Sequence, residues 1–442
     1  MLDKRLKKVS FVVVASLMFY FSFSKFDIWF LILPFLFLLT LWKDLKAWLI
    51  TGFLSIFASL FWIKIAMVEY GGVFPPVAYL LIALLALSVA TVQFGGTYLL
   101  WKLSRYNLLV LPFAWTAMEV LRSIFPYGGF PWLLVGELSV NAPFLKDYLS
   151  AGGVYLCSLL LWILALTPYS LRSKFFPIVA FLSFLIPVPF IERDFDKPGH
   201  LKVAIVQPNV REDIKLNKEA FYEYLPRYWE LLEAVMREEP DIVILPESAF
   251  PFHAGQLYER GEKLLEYSRK ATIVTGLIDV RVGEDIEPYN SVFVIKNGEV
   301  IDFYDKIRLL PFGEYVPFPF HFAKDLFGSI GGIDYVPGSE PRCVNTGNVS
   351  VATPICFEVS YYLLVKRLSS CADFIAVITN DGWFEDSDGT YQHLRQARVR
   401  AVENRKFLLW VNNTGPSAVI SPSGEIVKEI PYGRKGFIVF EF

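Results

Sequence analysis

Seven apolar runs occupy residues 9–24, 27–42, 47–68, 75–101, 106–121, 149–169 and 175–191, separated only by short polar breaks. Most approach the roughly 20 residues that a helix needs to cross a bilayer, and this constrains the chain more than any other feature. The N-terminal 191 residues are therefore expected to form a multispan α-helical membrane domain of about seven helices. The first run is broken by Ser22, Ser24 and Lys25, so a half-span or tilted element is an alternative to a full crossing. A signal peptide is the competing reading, but no small-residue cleavage site follows and the next apolar run begins almost at once. A hydrophobic share of 54% over 442 residues agrees with a membrane protein, and a net charge of −2 without like-charge blocks excludes a nucleic-acid footprint.

The distribution of Lys and Arg in the short breaks gives an orientation. One set of alternate loops carries ten: Lys4, Arg5, Lys7, Lys8, Lys43, Lys46, Lys102, Arg105, Arg172 and Lys174. The other carries four: Lys25, Lys64, Arg122 and Lys146. Positive charge collects on the cytoplasmic side, so the first set is placed there. Seven crossings then put everything after Ile191 on the outer face of the membrane.

A linker rich in charge, Pro and Gly (192–200) leads into a segment of different pattern, 201–442. Strand-like runs fall at 201–207, 241–245, 271–280, 291–296, 349–353, 373–379 and 407–413, with helical patterns at 217–238, 256–270, 358–370 and 390–406. Hairpin turns at Asn297-Gly298 and Ser423-Gly424 add antiparallel connections to the crossovers, which predicts an α/β domain.

Two strand ends in this domain carry chemistry. Glu247 follows the apolar strand in ILPES, and Cys356 follows another in TPICFE and opens a helical pattern. Open α/β sheets place their reactive groups at such ends, and the positive end of a helix dipole would favour a thiolate there. Taken alone, Cys356 reads more readily as a small buried filler, and Lys306 in YDKIRLLPFGEYVPF as a solvated surface lysine. Together the three supply a complete set of roles: Glu247 as general base and acid, Lys306 as the cation for an oxyanion, and Cys356 as acyl carrier. The backbone amide of Phe357 is a candidate second oxyanion donor. No CxxC pair or HExxH run offers metal-ligand spacing, and neither metal nor cofactor is expected. The four histidines, His200, His253, His321 and His393, are scattered and read as capping or surface residues, so the mechanism is expected to work without histidine.

These residues resemble the nitrilase superfamily, whose Glu-Lys-Cys triad lies in motifs similar to those around Glu247, Lys306 and Cys356, in the same order. Within it the chain is similar to the bacterial apolipoprotein N-acyltransferases. The likeness extends to LPESAFP, YNS, LLPFGEYVP, ICFE, NDGWF, QHLRQARVRAVE and NNTG, and into the membrane half at FDIW (26–29) and FPW (130–132). The resemblance implies that the membrane domain is followed by a nitrilase-like α-β-β-α sandwich on the periplasmic face of the bacterial inner membrane. It implies ping-pong acyl transfer. A phospholipid, typically phosphatidylethanolamine, gives its sn-1 acyl chain to Cys356, and the thioester passes it to the N-terminal S-diacylglyceryl cysteine of an apolipoprotein. A monomer is expected, since the membrane spans would occupy or misorient the face through which soluble relatives pair. A membrane-anchored amidase or nitrilase-type hydrolase, with water resolving the same thioester, is the alternative. A lipid-binding scaffold is the third, against which an intact triad argues.

The resemblance also gives Glu314 and Glu358 supporting roles, holding Lys306 and the thiol in place, since a buried lysine needs such partners to stay charged. Glu358 reads equally as a first-turn helix acid. Asn290, in PYNS, reads as an ordinary turn residue until the family lifts it to an active-site hydrogen-bonder. Trp383 and Phe384 read either as core aromatics or as the wall of an acyl-chain pocket, the flanking acids favouring the pocket; Tyr315 reads as a substrate-binding residue, and Trp132 as a membrane-side residue close to the site. The aromatic and Pro-rich stretches 250–253, 316–328 and 125–133 suit a membrane interface, where some would be mobile lids; sheet-packing loops of a large α/β domain are the alternative. Three departures stand out: Phe357 where a tyrosine is common, Leu216 where many relatives carry tryptophan, and GFIVFEF (436–442) where relatives have a further span, seven residues being too few to cross a bilayer. The four cysteines do not form a disulfide framework; only an exported location favours a Cys343–Cys371 bond, and the two are expected to stay unpaired.

Overall fold

The computed structural model describes residues 2–170, 199–283, 285–318 and 334–442. The seventh apolar run (175–191), nearly all of the linker (192–200), His321 and most of the 316–328 stretch lie outside the described residues. The chain divides into two compact units, one of Met1–Lys64, Val73–Asp194 and Ser387–Arg395, the other of Ile65–Gly72, Phe195–Asp386 and Gln396–Phe442.

In the first unit, helices α1 (Leu2–Phe23), α2 (Ile32–Thr40), α3 (Leu45–Leu60), α4 (Pro75–Ala90), α5 (Thr97–Leu103), α6 (Leu111–Arg122) and α7 (Tyr148–Ala165) follow the apolar runs. Their starts are written in the sequence. Asp44 caps α3 by accepting from the Lys46 and Ala47 amides at 2.9 and 3.4 Å, and Pro75 opens α4 where no amide hydrogen is needed. Three stretches are long and apolar enough to cross a membrane among the described residues: Leu6–Phe23, Pro75–Leu103 and Tyr148–Tyr169. Trp29–Thr40 and Leu45–Leu60 are apolar but shorter. Small residues set the helix spacing, as lipid gives no hydrophobic drive between helices. A Cβ on Gly52 would meet the Phe94 ring at 2.5 Å.

Arg122 corrects its place among the loop charges. It ends α6 buried, with its guanidinium donating to Gln93 Oε1 (3.0 Å) and to the carbonyls of Phe130 (3.0 Å), Trp132 (2.7 Å) and Leu133 (2.9 Å). Its charge is spent on groups inside the protein, so Arg122 is not a solvated loop residue.

The second unit is built on two six-stranded sheets. The first has the order β12-β1-β2-β3-β4-β5: Gly436–Glu441, Lys202–Gln207, Ile242–Ile244, Thr272–Val282, Ile286–Lys296 and Glu299–Asp305. The second has the order β11-β10-β9-β8-β7-β6: Ile426–Ile430, Ser417–Ile420, Leu408–Asn412, Phe374–Thr379, Ser350–Ala352 and Val344–Asn345. Each mixes parallel pairs, β1–β2–β3 and β7–β8–β9, with antiparallel edges. The sheets meet face to face: Thr272 donates to the Thr346 carbonyl (3.3 Å), and the rings of Phe374 and Phe407 pack on Phe442. Helix α8 (Lys218–Met236) covers the outer side of the first sheet. Leu225, Tyr228, Leu232 and Val235 lie on one helical stripe against Ala204, Val206 and Val243, each buried aliphatic side chain contributing about 1.5–3 kcal/mol. Helices α9 (Tyr362–Ser369) and α10 (Asp388–Asn404) follow β7 and β8 in sequence, and α9 buries Val365 and Leu368. This is the α-β-β-α layering expected.

GFIVFEF is β12, paired antiparallel with β1 from Lys202↔Glu441 to Gln207↔Gly436. Its apolar run Phe437–Phe440 serves a sheet edge. Cys343 and Cys371 form a disulfide, correcting the expectation that they stay unpaired. The segment before β6 and the end of α9 lie side by side, which no local pattern reveals.

Candidate active site

Glu247 and Lys306 come from the first sheet and Cys356 from the second. Past β2, the Leu245 amide still bonds to the Val274 carbonyl (2.8 Å) and the Ala249 amide to that of Gly276 (2.9 Å), so Glu247 sits on a short turn clamped to β3. The approach is close enough that a Cβ on Gly276 would lie 2.7 Å from the Glu247 Cα. Lys306 directly follows β5, its amide donating to the Asn290 carbonyl of β4 (2.9 Å). Cys356 follows β7 in a left-handed conformation, φ 49°, that a non-glycine residue adopts only at a cost.

The helix-dipole expectation for Cys356 is corrected. The residue opens a five-residue 3₁₀ turn, Cys356–Ser360, and α9 starts only after an extended Tyr361. Without an α-helix behind it, the sulfur gains little from a dipole. Burial pushes the thiol well above its ordinary range and the Glu247 carboxylate pushes it further, against the opposing pull of the Lys306 ammonium and the Thr379 hydroxyl. The resting group is a neutral thiol beside a base.

Lys306 is buried and stays charged. Burial alone lowers its pKa, but Glu314 and then Glu247 outweigh this and raise it above the ordinary lysine value. Its Nζ lies 2.8 Å from Glu314 Oε1 and 3.7 Å from Glu247 Oε1. Asn290 is no turn residue: it lies in β4, and its Nδ2 donates to both carboxylates, at 2.7 Å to Glu247 and 2.9 Å to Glu314. Glu314 Oε2 also accepts from the Leu310 amide (2.8 Å). Two carboxylates are thus held in place by one cation and one amide, which fixes the position of Glu247.

Glu358 lies in the first turn of the 3₁₀ segment, where it accepts from the Ile355 amide, but its partners extend well beyond that turn. Fully buried, it accepts from the amides of Ile307 (2.7 Å), Arg308 (3.0 Å) and Ile355 (2.8 Å) and from the Tyr304 hydroxyl (3.0 Å). It acts on Lys306 through the neighbouring backbone, tying the segment after β5 to the segment before Cys356. Phe357 is buried, its ring edge-on to Tyr361 at 5.4 Å. Tyr315 is half-buried, its carbonyl accepting from the Phe312 amide (2.7 Å). Trp383 and Phe384 lie in a 3₁₀ turn, Asp381–Phe384, after β8. Trp383 meets the Tyr70 ring edge-on at 5.7 Å, while the Tyr70 hydroxyl donates to Glu385 Oε1 (3.0 Å). Trp132 belongs to the first unit, buried, with its indole donating to Gln392 Oε1 (2.7 Å) and its ring 5.4 Å from that of His393. His393 is fully buried, which corrects its reading as a capping or surface residue.

Sequence reasoning missed Thr379, Tyr304 and Asn412. Thr379 approaches the thiol and lies 3.1 Å from Asp381 Oδ1, which in turn accepts through Oδ2 from Asn412 Nδ2 (2.8 Å). Each is an ordinary strand residue in the sequence; Thr379 and Asn412 are hinted at only as the polar residues that close apolar strands.

The raised thiol makes a pH prediction. Iodoacetamide should alkylate Cys356 at pH 7 at least about tenfold more slowly than an unperturbed cysteine, with the rate rising steadily with pH. Lys306→Met, by removing a cation that favours thiolate, should slow it further. A pH-independent plateau below neutrality would show a preformed thiolate and contradict the geometry.

Two family descriptions match the chain: "Apolipoprotein N-acyltransferase N-terminal domain" over residues 15–167 and "Carbon-nitrogen hydrolase" over residues 202–442. The chain is 44% identical over 445 residues to the apolipoprotein N-acyltransferase of Aquifex aeolicus (strain VF5), covering 100% of both. It is 31% identical over 394 residues to that of Haemophilus ducreyi, covering 84% of this chain and 76% of the relative. Among solved structures, Saccharomyces cerevisiae Nit3, of branch 10 of the nitrilase superfamily, aligns with a TM-score of 0.41 at 20% identity, over 55% of this chain and 89% of Nit3, a likeness too loose to bear on function.

Proposed function

Because the chain belongs to the apolipoprotein N-acyltransferase family, we propose that it transfers the sn-1 acyl chain of a phospholipid such as phosphatidylethanolamine, through a thioester on Cys356, to the α-amine of an S-diacylglyceryl cysteine at an apolipoprotein N-terminus. The observation that carries the reading is the convergence of Glu247, Lys306 and Cys356 from two sheets, with Lys306 held charged between two carboxylates.

Glu247 takes the Cys356 proton as sulfur attacks the ester carbonyl. The tetrahedral oxyanion is met by the Lys306 ammonium and the Phe357 amide. As the C–O bond breaks, Glu247 returns the proton to the departing sn-1 oxygen, and lysophospholipid leaves. In the second half, the acceptor amine attacks the thioester carbonyl, Glu247 receives the amine proton, and as the C–S bond breaks it passes that proton to the departing sulfur, restoring the thiol. Splitting the reaction lets two bulky lipids use one site in turn. Glu314, Asn290 and Glu358 position the three reacting groups, while Trp383, Phe384 and Tyr315 line the acyl side and Trp132 the membrane side. Residues 1–191 anchor the chain as a multi-pass domain, 192–200 link it, and 201–442 work as a monomer on the periplasmic face of the inner membrane, supported by the asymmetry of Lys and Arg in the loops.

Intact-protein mass spectrometry after incubation with phosphatidylethanolamine tests this. The expected result is an increment of one acyl chain, removable by hydroxylamine, absent from Cys356→Ala, and cleared onto a diacylated lipopeptide. Clearance by water alone would make the protein a hydrolase, and folded enzyme without an adduct would sink the thioester mechanism.

A further inference from the structure

Two residues past Lys306 the chain carries Arg308, which no step above uses. Its backbone is fixed: Glu358 Oε1 accepts from both the Ile307 and Arg308 amides (2.7 and 3.0 Å), while Oε2 holds the Ile355 amide next to Cys356 (2.8 Å). Its side chain is exposed, with the guanidinium 5.5 Å from the centre of the Tyr361 ring and no hydrogen bond or ion pair to any described residue. Tyr361 is buried and packs edge-on against Phe357, the residue after the nucleophile. Arg281, on β3, is by contrast engaged by Asp279 (2.8 Å) and Asp305 (2.9 Å). Arg308 is thus a cation steadied by an aromatic face, tied through one carboxylate to the nucleophile segment, with its donors unspent on those residues.

We infer that Arg308 binds the phosphate of the acyl donor, so that the first half-reaction selects a phosphodiester and not simply an acyl ester. This rests on the phospholipid-dependent reading above. In the donor, the sn-1 ester and the phosphate share one three-carbon glycerol, so a group that grips the phosphate sets the ester against the thiol. The planar guanidinium matches two phosphate oxygens at once, which a lysine ammonium cannot do. The diacylglyceryl cysteine of the acceptor has no phosphate. Arg308 therefore acts on donor binding alone, and lysophospholipid takes the phosphate away before the acceptor enters.

The test compares full-length wild type, Arg308→Gln and Arg308→Lys in detergent micelles. Cys356 acylation is followed against concentration with phosphatidylethanolamine and with a 4-nitrophenyl ester of a fatty acid, and the acyl-enzyme is then chased with a diacylated lipopeptide. Arg308→Gln should raise the half-saturating phospholipid concentration about tenfold, with Arg308→Lys in between. The phosphate-free ester and the chase should stay within about twofold of wild type. An unchanged phospholipid dependence in Arg308→Gln overturns the assignment, as does an equal slowing of all three reactions, which would mark a structural role. Wild-type enzyme labelled by the ester but never by phospholipid overturns the donor reading itself, and this assignment with it.

Discussion

Glu247→Gln is expected to lower the rate of Cys356 acylation by about a thousandfold at pH 7, the range for loss of a positioned general base. The amide keeps the shape of the side chain and its acceptor toward Asn290 Nδ2, so the site stays assembled and only the proton acceptor is lost. Because burial and the Glu247 charge both hold the thiol high, wild-type sulfur is not ionised in advance and needs this base. The variant also loses a neighbour that raises the thiol. Its rate should climb with pH toward that of wild type as solvent hydroxide takes over the deprotonation. Single-turnover acylation between pH 6 and 10 checks this. A variant within tenfold of wild type at pH 7 would remove Glu247 from the role of base.

Glu358→Ala should destabilise the catalytic domain more than any other single change near the site. Three backbone amides and one phenol point at this carboxylate from both sheets. Each donor left without a partner in a buried place costs about 1–3 kcal/mol, so the loss is at least about 4 kcal/mol and a fall in Tm of roughly 10 °C. Thermal unfolding of detergent-solubilised protein measures it. Glu358→Gln should fall less far, since one oxygen remains but an NH₂ now faces amide donors. A Tm within about 2 °C of wild type for the alanine variant would mean that these donors find water and that the bridge between sheets is dispensable.

Much of this was legible in residue order because the strongest signals are local. The apolar runs, the capping by Asp44, the Asn297-Gly298 hairpin turn and the strand ends carrying Glu247 and Cys356 depend on near neighbours. What escaped depends on residues far apart in the chain. Asn290 sits before an evident strand and reads as a turn until β4 is found to start at Ile286, lengthened by its pairing with β3. Glu358 has the spacing of a helix-capping acid, and only the arrival of Tyr304, Ile307 and Arg308 from the other sheet makes it a buried hub. The Cys343–Cys371 bond and the burial of Arg122 likewise arise from tertiary neighbours. The helix proposed at Cys356 failed for a local reason: the left-handed residue and the extended Tyr361 confine the turn to 3₁₀ geometry.

The pairing of β12 with β1 sets the order in which this domain can be completed. Strand β1 is made first and stays open along one side through synthesis of every other strand, because its antiparallel neighbour is encoded at Gly436–Glu441. The first sheet cannot be finished until Gly436–Glu441 has emerged, however much of the chain before it is already folded. Glu247 and Lys306 ride on that sheet, so the nucleophile's partners settle into register late. In the interval an unpaired apolar edge is exposed to neighbouring chains, which makes the time between synthesis of Val206 and of Phe437 the window in which nascent copies are most open to misassembly.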